Sequence, residues 1–232
     1  MSNMIQPVTR TKRQARDHYH RLSRWYDLLV GASEKKYRDL GLQILEANPG
    51  ERILEIGCGT GQAILSLATA VGPTGLVCGL DLAAGMLAMS RSRVGRAALA
   101  DRVALQQGDA AGLPYAANSF DAIFISFTLE LFDTPEIPLV LQQCRTVLRP
   151  DGRLVLVTLA KQPGTAVAIY EWLHDRMPVW VDCRPIHARA ALSESGFQIA
   201  AVSVLSMWGL PVEIVLARAG GESMDNRPAV RL

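Results

Sequence analysis

The chain has 232 residues, 49% of them hydrophobic and 20% charged, with 24 basic against 22 acidic side chains. At roughly 150 residues per domain this is one generous domain, or one with an added lobe, long enough to bury a core without staples. A net charge of +2 is too balanced to announce a nucleic-acid binder, and the apolar content excludes disorder. Cys58, Cys78, Cys144 and Cys183 lie far apart with no CxxC and no Cys/His cluster. They read as reduced core thiols, and no metal site is expected. No apolar run reaches the roughly 18 residues of a spanning helix, and the N-terminus lacks a signal-peptide core. The expectation is a soluble protein of the cytoplasm.

The average charge conceals an asymmetry. Residues 1–38 carry nine basic and three acidic side chains, a net +6, which leaves −4 for the remainder. Tyr19, Leu22, Tyr26 and Leu29 recur there at helical spacing with arginines between them, the pattern of a basic amphipathic helix. Such a helix either packs its stripe on the protein's own core or makes peripheral contact with an anionic membrane, at the inner surface for a cytoplasmic protein. Residues 1–45 are read as an N-terminal helical cap.

Strands and helices alternate beyond it. Strands are expected at Arg52–Ile56, Leu76–Leu82, Val103–Gln107, Phe120–Phe127 and Arg153–Leu159, the last set up by a turn at Pro150-Asp151-Gly152. Helices are expected at Gln62–Val71, Ala84–Ala97 and Pro135–Leu148. This alternation means βαβ units, a doubly wound parallel sheet and right-handed crossovers. After residue 160 the pattern changes. Thr165–Met177 and Pro185–Ser195 look helical, and Gln198–Met207 pairs with Val212–Arg218 through Trp208-Gly209-Leu210-Pro211. The expected organisation is a cap (1–45), a main domain (46–219) with a helical substrate-covering insertion (161–197), and a flexible tail (220–232).

The glycine loop Gly57-Cys58-Gly59-Thr60-Gly61 sits where the first strand hands over to the first following helix. Glycines there permit positive φ and let a ligand approach the backbone, and the helix start presents free N–H groups. The spacing is GxGxG, whereas a dinucleotide fingerprint is GxGxxG. Two acids follow on successive strand tips, Asp81 after Gly79-Leu80 and Asp109 after Gln107-Gly108. A carboxylate at the second tip can accept two bonds from a ribose diol, and one at the third can accept from an adenine amino group. Either alone is a common turn or capping residue. Three such groups on three strand tips are not well explained by capping.

These motifs, EIGCGTG (55–61), GLD (79–81), GDA (108–110), LPYAANSFD (113–121) and VLRPDGRL (147–154), resemble those of the class I S-adenosylmethionine-dependent methyltransferases. Within that superfamily the chain is similar to the ubiquinone/menaquinone-biosynthesis C-methyltransferases and their bacterial phospholipid N-methyltransferase relatives. Arg24-Trp25-Tyr26-Asp27 carries the closer likeness. The resemblance implies a Rossmann-like, seven-stranded sheet with an antiparallel last strand and S-adenosyl-L-methionine as cofactor. It implies that Gly57, Gly59 and Gly61 flank the methionine and ribose, that Asp81 binds the ribose hydroxyls, and that Glu55 and Leu82 also belong to the cofactor site. Met86 would pack on the adenine, Asp109 and Ala110 would bind its edge, and Ser126 would lie near the methyl group.

Methyl transfer from a sulfonium is an in-line displacement that positioning can largely catalyse, with a base needed only if the acceptor must lose a proton. Candidates on the acceptor side are Glu130 and Tyr26 above all, with Ser126, Thr128, His18 and His20. Glu130, between Leu129 and Leu131, is either a desolvated base or a helix-start carboxylate facing water. His174 and His187 read as solvated helix positions. Trp25, Trp172, Trp180 and Trp208 all lie outside the nucleotide-binding core, in segments that would cover an apolar acceptor. Prenylated quinols and phospholipid headgroups both suit that picture. A nicotinamide dehydrogenase is disfavoured by the GxGxG spacing and by Asp109, and a non-catalytic S-adenosylmethionine binder stays open.

Overall fold

The computed structural model describes residues 31–162, 167, 170 and 183–220. In chain order these form α1 (Gly31–Leu45), β1 (Arg52–Ile56), α2 (Gln62–Val71), β2 (Leu76–Asp81), α3 (Ala84–Arg96), β3 (Val103–Gln107) and β4 (Phe120–Ser126). There follow α4 (Ile137–Val147), β5 (Leu148–Leu159), α5 (Ala188–Glu194), β6 (Phe197–Met207) and β7 (Leu210–Ala219). The seven strands make one sheet in the order β3-β2-β1-β4-β5-β7-β6. The first five are parallel, and β7 runs antiparallel to both β5 and β6. The chain thus leaves β1 for β2 and β3 on one side and returns for β4 and β5 on the other. Ligands bind at such a reversal of strand order, beyond the strands' carboxyl ends.

The central strands are buried on both faces, which is why they read as continuous apolar runs. Alternate side chains go to opposite layers. Leu54, Ile56, Ile123, Ile125 and Leu156 pack with Leu141 of α4 and Leu192 of α5. Ile53, Val77, Phe124, Val155 and Val157 pack with Leu45 of α1 and Ile64 and Leu67 of α2. Each such side chain contributes about 1.5–3 kcal/mol by burial. α1 sits directly on the sheet: a Cβ at Gly41 would come within 2.6 Å of Val157. The end of the expected cap therefore forms part of the core.

Three local expectations are corrected. Leu148 already pairs with Phe120 and Arg153 with Ala122, so residues 149–152 bulge within one long β5. Pro150-Asp151-Gly152 does not precede the strand. The excursion folds back on itself: a Cβ at Gly152 would lie 2.8 Å from Leu148. Helix α5 starts only at Ala188, because the preceding residues are drawn to the sheet. Ile186 bridges Ala160, its N–H donating to the Leu159 carbonyl at 3.0 Å. The hairpin turn shrinks to Trp208-Gly209, with φ of 53° and 83°, since Leu210 and Pro211 pair with Met207 and Ser206. Apart from residues 167 and 170, the expected helix Thr165–Met177 lies outside the described residues, as do the stripe Tyr19 to Leu29 and residues 221–232. No described helix is long and apolar enough to cross a membrane.

Candidate active site

The glycine loop closes β1 and opens α2. Gly57, Gly59 and Gly61 take φ of 71°, 51° and 81°, a region that side chains make costly. Their surroundings differ. A Cβ at Gly57 would come within 2.2 Å of the Thr128 hydroxyl, and one at Gly61 within 2.3 Å of Ser90 Oγ. A Cβ at Gly59 would meet nothing within 4 Å. The middle glycine faces open space, as a cradle for a ligand requires, while the outer two are pinned by neighbours.

Asp81 ends β2 and faces this loop. Its Oδ2 accepts the Gly59 N–H and its Oδ1 the Ala83 N–H, both at 2.8 Å. Burial raises its pKa, opposed by the N–H groups of Ala83, Gly59 and Leu82. Asp109 caps a single 3-10 turn (Ala110–Gly112) and accepts the Ala111 N–H at 3.0 Å. Asp109 is thus a local cap, whereas Asp81 makes a local turn bond two residues on and adds a long-range bond to the loop. Met86 is buried in the first turn of α3, Ala110 is buried, and Leu82 takes the Gln107 amide on its carbonyl at 3.0 Å.

Glu55, one residue before the end of β1, is only 4% exposed. Its Oε2 finds no hydrogen-bond partner. Burial pushes its pKa well above the usual carboxylate range; the Arg38 cation opposes this and the Asp81 charge adds to it. A buried carboxylate with an orphaned oxygen near an open glycine loop fits a ligand that presents a cation or a hydrogen-bond donor there. Burial also pushes the Cys58 thiol far up, which favours its protonated form.

On the far side of the reversal point, Ser126 ends β4 and its carbonyl accepts the Thr128 hydroxyl at 2.9 Å. Phe127 takes φ of 48° and packs edge-on against Tyr37, with ring centroids 6.5 Å apart. Glu130 lies in the 3-10 turn Leu129–Leu131 with 0% exposure, which removes the water-facing reading. The Leu159 N–H donates to its Oε1 at 3.3 Å, and its charge is felt by the buried Arg184. Arg184 in turn donates to Thr134 Oγ1 at 3.0 Å and to the Phe132 carbonyl.

The topology puts Glu55, the three glycines, Asp81, Leu82, Asp109, Ala110, Ser126 and Glu130 at or just beyond the carboxyl ends of β1, β2, β3 and β4, with Met86 in the first turn of α3. Tyr26, His18, His20, His174, Trp25, Trp172 and Trp180 lie outside the described residues. Two expectations change. His187 precedes α5 with its Nε2 buried and without a hydrogen-bond partner, and Trp208 stands 77% exposed at the hairpin turn. Sequence reasoning missed Arg38, whose Nη2 donates to Gln62 Oε1 at 2.6 Å, and Arg93, which donates to the Thr60 carbonyl at 2.8 Å. Nothing in either one's neighbourhood marks it. Among the described residues no His/Cys/Asp/Glu group could hold a metal.

Comparison with known proteins agrees with this geometry. A family model described as "Methyltransferase domain" matches residues 53–152, from β1 into β5. The demethylmenaquinone methyltransferase of Desulfitobacterium hafniense is 28% identical over 221 residues, 82% of this chain and 87% of that one. The ubiquinone/menaquinone biosynthesis C-methyltransferase of Paracoccus denitrificans is 35% identical over 151 residues, 65% of this chain but only 58% of that one. Among solved structures, a SAM-dependent methyltransferase from Aquifex aeolicus superposes with a TM-score of 0.59 at 19% identity, covering 78% of this chain and 89% of that one. That last likeness speaks for the fold alone. With a glycine cradle, two strand-tip acids and a methyltransferase domain over residues 53–152, the chain is an S-adenosylmethionine-dependent methyltransferase, similar to enzymes named for ubiquinone and menaquinone biosynthesis.

Proposed function

We propose that this methyltransferase acts on a small, apolar, membrane-derived acceptor of the prenylated-quinol kind. The observation that carries the reading is kinship over 82% of the chain with a protein named for demethylmenaquinone methylation. Bound S-adenosylmethionine supplies an electrophilic methyl on a sulfonium. The chain's own residues then bind, orient and exclude water, the means by which a displacement is accelerated through proximity. In this reading Gly57, Gly59 and Gly61 shape the cradle, and Glu55 offers its orphaned oxygen to the cationic end. Asp81 and Leu82 hold the ribose, while Met86, Asp109 and Ala110 hold the adenine. Phe127 and Tyr37 close the wall beside Ser126. Glu130 and Tyr26 serve the acceptor side, Glu130 as the base where the acceptor must lose a proton.

The test supplies labelled methyl donor, the protein and a lipid extract of the host, and identifies the labelled product by mass. A labelled quinol supports the reading. A labelled, N-methylated phospholipid headgroup replaces it with the phospholipid reading. Tight donor binding without turnover on any fraction makes the protein a non-catalytic binder.

A further inference from the structure

Trp208 occupies the first position of the two-residue turn between β6 and β7, 77% exposed and with φ of 53°. Two-residue hairpins with both φ positive select Asn, Asp or Gly, and a bulky residue in the left-handed region is a genuine outlier. A tryptophan that is both solvent-facing and conformationally costly does nothing for the turn that Asn would not do better. Such strain points to a contact made outside the chain.

The hairpin around it is apolar and uncharged. No Lys, Arg, Asp or Glu occurs from Phe197 to Val212. Val202 and Val204, two residues apart and so on one face of β6, are 37% and 54% exposed and lead toward Trp208. Edge strands usually carry charge or proline as protection, and β6 has neither. Position matters as well. Val212 at the start of β7 pairs with Leu159 at the end of β5, so the turn projects at the same carboxyl rim as the cofactor site.

Cations flank the turn. The Tyr37 hydroxyl donates to the Ser206 carbonyl at 2.6 Å, fixing α1 against the hairpin two residues from Trp208. Lys35 and Lys36 of that helix are exposed, with Lys35 also paired to Asp39. In sequence, α1 ends the segment that carries a net +6. An amphipathic indole beside positive charge suits the interface of an anionic bilayer, where Trp is enriched and each nearby cation adds attraction. A second copy of the chain is a poorer fit: one Trp offers roughly 250 Å² against about 800 Å² per partner in a stable interface.

We propose that the β6–β7 turn docks the protein on an anionic phospholipid surface, with Trp208 as the interfacial anchor and the cofactor rim turned toward the lipid. The proposal does not depend on which acceptor is methylated. The test variant is Trp208→Asn, because Asn suits the left-handed turn and should leave the melting temperature equal or higher. Sedimentation with phosphatidylcholine vesicles containing phosphatidylglycerol should show binding that falls roughly tenfold in Trp208→Asn. Lys36→Gln should lower it up to roughly fivefold, at low salt only. A blue shift of tryptophan emission on adding vesicles should shrink in Trp208→Asn, with S-adenosylmethionine affinity unchanged. Equal vesicle binding by parent and Trp208→Asn overturns the proposal. So does a concentration-dependent dimer that Trp208→Asn dissociates, which would assign the patch to a second copy. Failure of the quinol reading with vesicle binding intact would leave the docking surface standing.

Discussion

Asp81 Oδ2 accepts the Gly59 N–H at 2.8 Å, tying the tip of the second strand to the middle of the glycine loop 22 residues earlier. One carboxylate therefore shapes the cradle and faces the space it encloses. Asp81→Ala removes both functions and is expected to weaken S-adenosylmethionine binding by about 1.5–3 kcal/mol, as for bonds to a charged group. Asp81→Asn keeps one oxygen for the loop and should lose less. Calorimetry on folded protein measures both, and equal affinity in Asp81→Ala refutes the assignment.

The glycines separate folding from binding. Gly57→Ala drives a methyl into Thr128 and should lower the melting temperature, with partial recovery in Gly57→Ala/Thr128→Gly. A Cβ at Gly59 would meet nothing within 4 Å, so Gly59→Val should cost only the backbone term, roughly 1–2 kcal/mol, while filling the cradle. Its donor binding should fall far more than its stability. Binding within twofold of the parent would count against the cradle.

Glu55 makes stability depend on pH in a definite direction. Its folded pKa is raised well above the value near 4.5 of the unfolded chain. The folded state therefore holds the proton more tightly, and this contribution is complete below the unfolded value and lost as pH rises through the folded one. Thermal melts of the ligand-free protein should show Glu55→Gln gaining on the parent as pH rises above about 4.5. A constant difference across that window would contradict the burial argument. Donor binding by the same variant should fall, because the orphaned oxygen becomes an amide.

Glu130 distinguishes a base from a strut. It is fully buried, bonded to the Leu159 N–H and within the field of Arg184. If it takes a proton from the acceptor, Glu130→Gln should reduce kcat by about 10²-fold or more with donor affinity unchanged. Lost melting temperature with retained turnover would make it an anchor for the segment carrying Arg184.

The N-terminal segment is tested without disturbing α1. Removing residues 1–30, which include Tyr26, spares Tyr37 and Leu45 in the core. If the segment serves the acceptor side, the truncated protein should melt as the parent does but lose turnover by about 10²-fold. Replacing Arg13, Arg16, Arg21 and Arg24 with Gln should reduce binding to anionic vesicles, most visibly at low salt. Turnover equal to the parent's in the truncated protein removes the cap from the mechanism.

What the sequence alone determined was whatever rests on local geometry. The strand–glycine–helix junction at residues 52–62 needs positive φ and a change of hydrophobic period, and both are written in adjacent residues. Asp81 and Asp109 were legible for the same reason: Asp81 ends β2 and Asp109 lies two residues past β3, so parallel order sends both to one rim. Only the tertiary structure decided what depends on distant segments meeting. Arg38 reaches Gln62, Arg93 reaches Thr60, and Thr128 limits Gly57 at 71 residues' separation. Local pattern also failed where the sheet outbid it. Helix α5 is delayed to Ala188 because Ile186 bonds Leu159, and the Pro150-Asp151-Gly152 turn is absorbed as a bulge in β5. Glu130 went from an ambiguous surface acid to a buried one because its turn packs against the end of β5, within the field of Arg184. Burial is a property of the packed layers, and a sequence states it only where periodicity already implies the layer.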